Sequence, residues 1–163
     1  MDKRTVIVLC IFLFSCGRTE SKHDQDNFYN NFGGADWIRI PLLKPYEVQK
    51  TDPEIASNSW VIQFQSPLLS STYNVKQVSV QDSVIYIISG KIDEKNDSTI
   101  LRNRNLPTAW YILDTKKKIE EGFSNEAEFK SYIQKNSYPT PNWLDIDSLS
   151  ESVGKDGTLP WIR

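Results

Sequence analysis

Val75-Lys76-Gln77-Val78-Ser79-Val80 and Val84-Ile85-Tyr86-Ile87-Ile88 are two runs of β-branched and aromatic residues with only Gln81-Asp82-Ser83 between them. A short polar connection between two such runs predicts a β-hairpin. The second run is apolar at every position, so both its faces need cover and it belongs in the middle of a sheet.

The same pattern recurs on either side. Downstream, Trp110-Tyr111-Ile112-Leu113 is expected to pair with the run from Ile119 to Phe123 across a connection containing Lys116, Lys117 and Lys118. Upstream, Trp60, Ile62 and Phe64 alternate with Val61, Gln63 and Gln65, which is the period-two signature of a half-buried strand. A short strand is expected to begin at Asp36-Trp37-Ile38-Arg39-Ile40. Pro41 and Pro45 bracket Leu42-Leu43, which predicts an extended piece at a sheet edge. The stretch from Gly90 to Asn105, with Asp93, Glu94, Lys95, Asn96 and Asp97, reads as a solvated loop.

One helix is expected. Asn125 followed by Glu128 has the spacing of a capping box, and Phe129, Tyr132 and Ile133 make one apolar stripe behind it. Pro139 and Pro141 prevent its continuation. Beyond them come Trp143-Leu144, a helical turn from Asp147 to Val153, and Trp161-Ile162. The predicted class is therefore α+β: an antiparallel sheet of about five or six strands formed from hairpins, with one C-terminal helix packed on it.

The first residues carry a different message. Lys3 and Arg4 precede a run from Thr5 to Phe14 in which only Thr5 is polar, and Leu13-Phe14-Ser15-Cys16-Gly17 follows. The apolar run has the length of a signal-peptide core, well below the ~20 residues needed to span a bilayer. The junction resembles the lipobox of bacterial lipoproteins, with Leu13, Ser15 and Cys16 in the matching places and a bulky Phe14 of the kind found in Bacteroidota-type leaders. The resemblance is confined to this leader. It implies cleavage after Ser15 and a diacylglycerol on the Cys16 sulfur. It also implies an outer-membrane destination, because Gly17 stands where inner-membrane lipoproteins carry Asp. Two or more acyl chains hold a protein stably at a bilayer, at ~0.8 kcal/mol per buried methylene. On this reading residues 1–15 are a signal peptide, 16–32 a polar tether and 33–163 a single domain, with the lipid bilayer as first partner.

Composition narrows the chemistry. Without the leader the chain carries 17 basic and 20 acidic side chains, a net charge of -3. No patch of Lys and Arg is interleaved with aromatics, so nucleic acid is not an expected partner. Cys10 would leave with the leader and Cys16 would be acylated. The folded part then has no thiol for a disulfide, a nucleophile or a metal. His23 is the only histidine and lies in the tether, which disfavours a Ser-His-Asp triad or a histidine-ligated zinc in the domain. There is no dinucleotide fingerprint, phosphate loop or HExxH, and no cofactor or metal site is expected.

Catalysis would then fall to carboxylates. Glu120-Glu121 should point to opposite faces of a strand, and Glu126 and Glu128 sit where a helix dipole favours acids. Asp145-Ile146-Asp147 and Asn96-Asp97 lack the glycine and terminal glutamate of a calcium loop and read as turn or cap residues. Asp82-Ser83-Val84, Asp97-Ser98-Thr99 and Asp147-Ser148-Leu149 resemble the acceptor triplet of Bacteroidota O-glycosylation, which would make Ser83, Ser98 and Ser148 modification sites. Trp37, Trp143 and Trp161 lie near breaks and prolines, where an amphipathic ring can contact a protein or a glycan.

Three functions remain: a non-enzymatic binding lipoprotein of the cell envelope, including an immunity or inhibitor protein, a carboxylate-dependent hydrolase of envelope glycans, and a purely structural envelope component with neither cleft nor exposed aromatic patch. The hydrolase requires two acids facing one cleft at ~5–10 Å.

Overall fold

A computed structural model describes residues 26–34, 37–51, 59–66, 69, 72–90 and 108–162. The loop read over Gly90 to Asn105 falls almost wholly outside these residues, as do Cys16, His23, Asn96-Asp97 and Ser98. The class is α+β, built on two antiparallel five-stranded sheets rather than one.

The second sheet is the more regular. The hairpin forms as read, with β6 (Val75–Gln81) and β7 (Val84–Ser89) closed by Asp82-Ser83, and Asp82 adopts a φ of 53°. Asp is among the residues that tolerate this left-handed conformation. β8 (Ala109–Asp114) and β9 (Ile119–Phe123) form the second hairpin, registering Trp110 with Phe123 and Asp114 with Ile119. β7 lies in the centre of the order β10-β6-β7-β8-β9, β10 being Leu144–Asp145. Its central place follows from its composition: Ile85, Tyr86 and Ile87 have no measurable exposure, although they alternate between two faces.

The first sheet is assembled from shorter pieces, in the order β1 (Gly33–Gly34), β2 (Trp37–Pro41), β3 (Glu47–Thr51), β4 (Val61–Ile62) and β5 (Thr72–Tyr73). Pro41 and Pro45 do not lie on an outermost strand of the sheet. They bracket the reversal between β2 and β3, and β2 is flanked on both sides only at Trp37 and Ile38. Beyond β1, Pro41 has a strand partner, Glu47, on one side alone, so its missing N–H costs the sheet nothing. Gly33, with φ 114°, allows β1 to approach β2, because a Cβ there would lie 2.3 Å from the Trp37 carbonyl oxygen.

The last residues read as tether are part of the fold. A short helix, α1 (Asn27–Asn30), is capped by the Asp26 carboxylate, which accepts from the Phe28 N–H at 3.0 Å. Tyr29 and Phe32 pack on the core, and the Arg39 N–H donates to the Phe32 carbonyl at 2.9 Å. Three aromatics within five residues, Phe28, Tyr29 and Phe32, supply the apolar surface that a solvated tether lacks.

Sheet two is a middle layer with a different neighbour on each face. One face meets sheet one and α3 (Ile146–Asp156) through an aliphatic core including Ile40, Leu42, Val48, Ile62, Val78, Ile85, Ile87 and Leu113. The other meets α2 (Glu126–Lys135) through an aromatic core of Tyr86, Phe129 and Tyr138 with Ile112, Ile133 and Val84. Asn125 caps α2 by accepting from Ala127 N–H at 2.7 Å. α3 is longer than the turn expected from sequence. Asp145 caps it through Ser148 N–H, and Gly157, at φ 64°, ends it.

Candidate functional site

The Glu120 side chain leaves β9 on the face towards sheet one. Its Oε1 accepts from the Tyr46 hydroxyl at 2.6 Å and from the Gln65 N–H at 2.7 Å, and its Oε2 accepts from the Ser66 N–H. One carboxylate of sheet two thus holds the β2–β3 reversal and the segment that leaves β4. Burial, then the hydrogen bond to Glu120 and its negative charge, push the Tyr46 hydroxyl well above the usual phenol range. It remains a donor at any ordinary pH.

Above this clamp lies a cleft of about 580 Å³, lined by Lys44, Tyr46, Gln65, Thr115, Lys118 and Glu120 among others. That is within the size range of small-ligand sites, ~300–1,000 Å³. Glu121 also borders it, but alternation along β9 directs the two glutamates apart. Its charge acts on the Tyr132 hydroxyl of α2, which burial in the first place pushes up. Lys118 closes the β8–β9 connection with φ 55°. Lys44 forms an ion pair with Asp26.

A second polar centre, Asp114, lies where the β8 strand ends. Only 3 % exposed, it accepts from Lys116 N–H and Lys117 N–H at 3.0 Å each and from the Tyr138 hydroxyl at 3.1 Å. Burial alone would raise its pKa. The hydrogen bonds from Lys117, Tyr138 and Lys116, with the Lys117 ammonium, outweigh burial and hold it below the ordinary value. Every oxygen is committed to closing the turn and to Tyr138, which is a structural role.

The tryptophans singled out from sequence do not share a groove. Trp143 packs in the aromatic core, its ring centroid 6.1 Å from that of Phe129 and 6.3 Å from that of Tyr86. Trp161 packs against the aliphatic core on the opposite side of sheet two, and its indole N–H has no hydrogen-bond partner among the described residues. Trp37 is half-buried in β2, opposite Gly34. Of the serines, Ser83 is half-buried in the hairpin turn, 3.4 Å from Asp114 Oδ1, and Ser148 is exposed in the first turn of α3. Glu126 pairs with Lys130 at 2.8 Å on the surface of α2, and Glu128 is exposed. Asp145 serves as a cap. Asp147 accepts from the Trp60 indole N–H at 2.8 Å, tying α3 to sheet one.

Sequence reasoning missed Tyr46 and the role of Glu120, since nothing local joins residues 74 positions apart. Asp114 carried a readable signal: an aspartate ahead of a polar, lysine-rich turn is placed to accept from the following backbone. Among the described residues no group of three or more His, Cys, Asp or Glu is arranged to hold a metal, and no helix is long and apolar enough to cross a membrane. No family model matches the chain, and neither a curated protein nor a solved structure shows significant similarity to it.

Proposed function

We propose that this chain is a non-enzymatic binding domain, held at the outer membrane through an acylated Cys16, and that its binding site is the cleft between the two sheets. An immunity or inhibitor protein is one form such a domain takes. The leader resemblance supports the anchor. One observation carries the site: Glu120 is spent, with three donors on its two oxygens, inside a cleft whose other polar lining includes Lys44, Gln65, Thr115, Lys118 and, at its border, Glu121. A carboxylate tied in this way shapes a cleft rather than shuttling protons. A hydrolase would need a second acid facing the first, and Glu121 is directed towards α2. The half-buried tryptophans follow the same logic, because packing against the two cores accounts for Trp143 and Trp161.

Site-specific photo-crosslinking in the native envelope tests both parts. A photoreactive residue at Gln65 or Thr115 should yield a discrete adduct, and the same residue at Ser131 on α2 should not. Adducts of equal yield at all three positions, or none, would reject the cleft. Cys16→Ala should move the protein out of the membrane fraction, and retention there without lipid would reject the anchor.

A further inference from the structure

α1 rests on the strand reversal that forms one wall of the cleft. Asp26 makes an ion pair with Lys44. The Phe28 ring lies beneath both cations of this corner, 4.8 Å from the Arg39 guanidinium carbon and 5.6 Å from the Lys44 ammonium. Arg39 is only 6 % exposed, and a ring on a cation withdrawn from water is held most firmly. The Tyr29 hydroxyl lies 3.4 Å from the Lys44 N–H, and the Arg39 N–H donates to the Phe32 carbonyl at 2.9 Å.

The other side of the same reversal is the cleft. The Leu42 N–H donates to the Tyr46 carbonyl at 3.0 Å and the Tyr46 N–H to the Leu43 carbonyl at 2.7 Å, so residues 42–46 form one closed unit. Lys44, Pro45 and Tyr46 line the cleft, and the Tyr46 hydroxyl ties the unit to Glu120, which also receives the Gln65 and Ser66 N–H groups. One reversal is thus gripped by α1 on one side and by Glu120 on the other. The first grip is the weaker. α1 has four residues, none of them buried, and its ion pair is made by a lysine side chain that is 52 % exposed. Elements with so little buried surface open most easily.

We infer that α1 is a strap coupled to the cleft: docked, it fixes the wall of Lys44, Pro45 and Tyr46, and lifted, it lets that wall and the Tyr46–Glu120 tie loosen together. The strap presupposes the cleft as binding site and adds a means of controlling it. α1 is the first described element behind the proposed Cys16 anchor, so a pull on the anchor is felt there first. Lifting α1 weakens the hold on a ligand, and a ligand seated against Lys44 and Tyr46 holds α1 down in return, because such coupling is reciprocal.

Amide exchange of the full chain in neutral detergent micelles, followed by NMR, tests the coupling without a ligand. The amides of Tyr29 and Arg39, bonded to the Asp26 and Phe32 carbonyls, should share one opening with those of Leu42, Tyr46, Gln65 and Ser66. Their protection should fall at least about ten-fold short of that at Ile85 and Ile87 in the centre of sheet two. Phe28→Ala should lower it about five- to ten-fold at all six positions. Asp26→Asn keeps the cap acceptor of α1 and removes only the charge that Lys44 meets, so the same amides should lose about two- to three-fold. In the reverse direction Tyr46→Phe, which cuts the tie to Glu120, should lower protection at Tyr29 and Arg39 about five-fold. If residues 42, 46, 65 and 66 open only alongside Ile85 and Ile87 while α1 opens alone, α1 is a frayed terminus and the strap is overturned. Unchanged protection at Tyr29 and Arg39 in Tyr46→Phe would overturn it equally. Since no ligand takes part, either result leaves the cleft itself to stand or fall by cross-linking.

Discussion

The two faces of sheet two are built by opposite strategies from the same strands. Towards sheet one and α3 the contact is aliphatic: Ile85, Ile87, Leu113, Val78 and Val75 meet Ile40, Leu42, Val48 and Ile62. Towards α2 it is aromatic and laced with polar ties. The Tyr86 hydroxyl donates to the Pro139 carbonyl at 2.7 Å, the Tyr138 hydroxyl to Asp114, Gln81 to the Thr140 carbonyl at 2.7 Å, and Asn142 N–H to the buried Ser79 hydroxyl at 2.9 Å. The difference follows from what each face must hold. Two sheets present matched pleated surfaces that branched aliphatics fill. The proline-rich segment from Tyr138 to Trp143 has no ladder of its own, and side-chain hydrogen bonds lash it to the sheet instead.

Adjacent residues of β7 make the sharpest test, because they differ in face and in little else. Ile87→Ala removes three carbons from a site with no measurable exposure. It should cost about 3–4 kcal/mol in urea denaturation, the usual range for a truncation that leaves a cavity in a packed core. A loss under half that size would mean that sheet one can settle onto sheet two, and the aliphatic contact would be looser than its burial implies.

On the aromatic face the largest effect belongs to a polar residue. Asp114→Ala strips the acceptor from the Lys116 and Lys117 N–H groups and from the buried Tyr138 hydroxyl, and should cost about 2–3 kcal/mol. It also predicts a pH dependence. The folded-state pKa of Asp114 lies below its unfolded value. Its contribution is thus fully present above the unfolded value of about 3.9 and is lost as pH falls through the lower folded value. Asp114→Asn should flatten the acid limb of the stability profile by that contribution. An unchanged acid limb would show that the turn, rather than the charge, is what Asp114 supplies.

Tyr86→Phe should cost less, about 1 kcal/mol. The ring stays in place beside Phe129 and Trp143, and the orphaned Pro139 carbonyl belongs to an exposed residue that water can reach. The Tyr86 hydroxyl is pushed up to about 12 by burial first, and then by its neighbours Tyr138 and Asp114. It therefore stays protonated across the working range and adds no pH dependence there. A cost above that of Asp114→Ala would place the main tie of the aromatic face at Pro139.

The same contrast explains what was legible in the sequence. Sheet two was readable strand by strand, because β6 to β9 are runs of five to seven residues joined by short turns and each run carries its own periodicity. β7 declared its central place by being apolar throughout. In sheet one, β1, β4 and β5 have two residues each and exist only by virtue of partners elsewhere in the chain. Trp60 and Ile62 still showed the alternation that burial requires, but no local pattern could divide the strands between two sheets. α2 announced itself through Asn125 and its stripe. α3 was foreshortened because Ile146, Leu149 and Val153 are too sparse among serines and acids to mark its full length. The cleft was not legible at all, since Tyr46, Gln65 and Glu120 meet only after both sheets have formed.

The smallest effect concerns a polar tie on the aliphatic side, where the Glu120 clamp is another. Asp147 joins α3 to sheet one by accepting from Trp60 at 2.8 Å and from Lys50 at 3.4 Å. The Trp60 hydrogen bond in the first place, and the Lys50 charge after it, hold its carboxyl below the ordinary value, with burial opposing. Its acid dependence therefore has the same sign as that of Asp114. The amplitude should be far smaller, because the Asp147 side chain is 63 % exposed and solvent screens the charge. Asp147→Asn keeps an oxygen for the indole N–H and gives up only the exposed ion pair. It should cost no more than about 0.5 kcal/mol. Asp147→Ala leaves the N–H of a tryptophan that is 3 % exposed without its acceptor, and should cost about 1 kcal/mol. If Asp147→Asn instead proved as damaging as Asp114→Ala, charge would matter equally on both sides of sheet two. The division into an aliphatic face held by packing and an aromatic face held by polar ties would then fail.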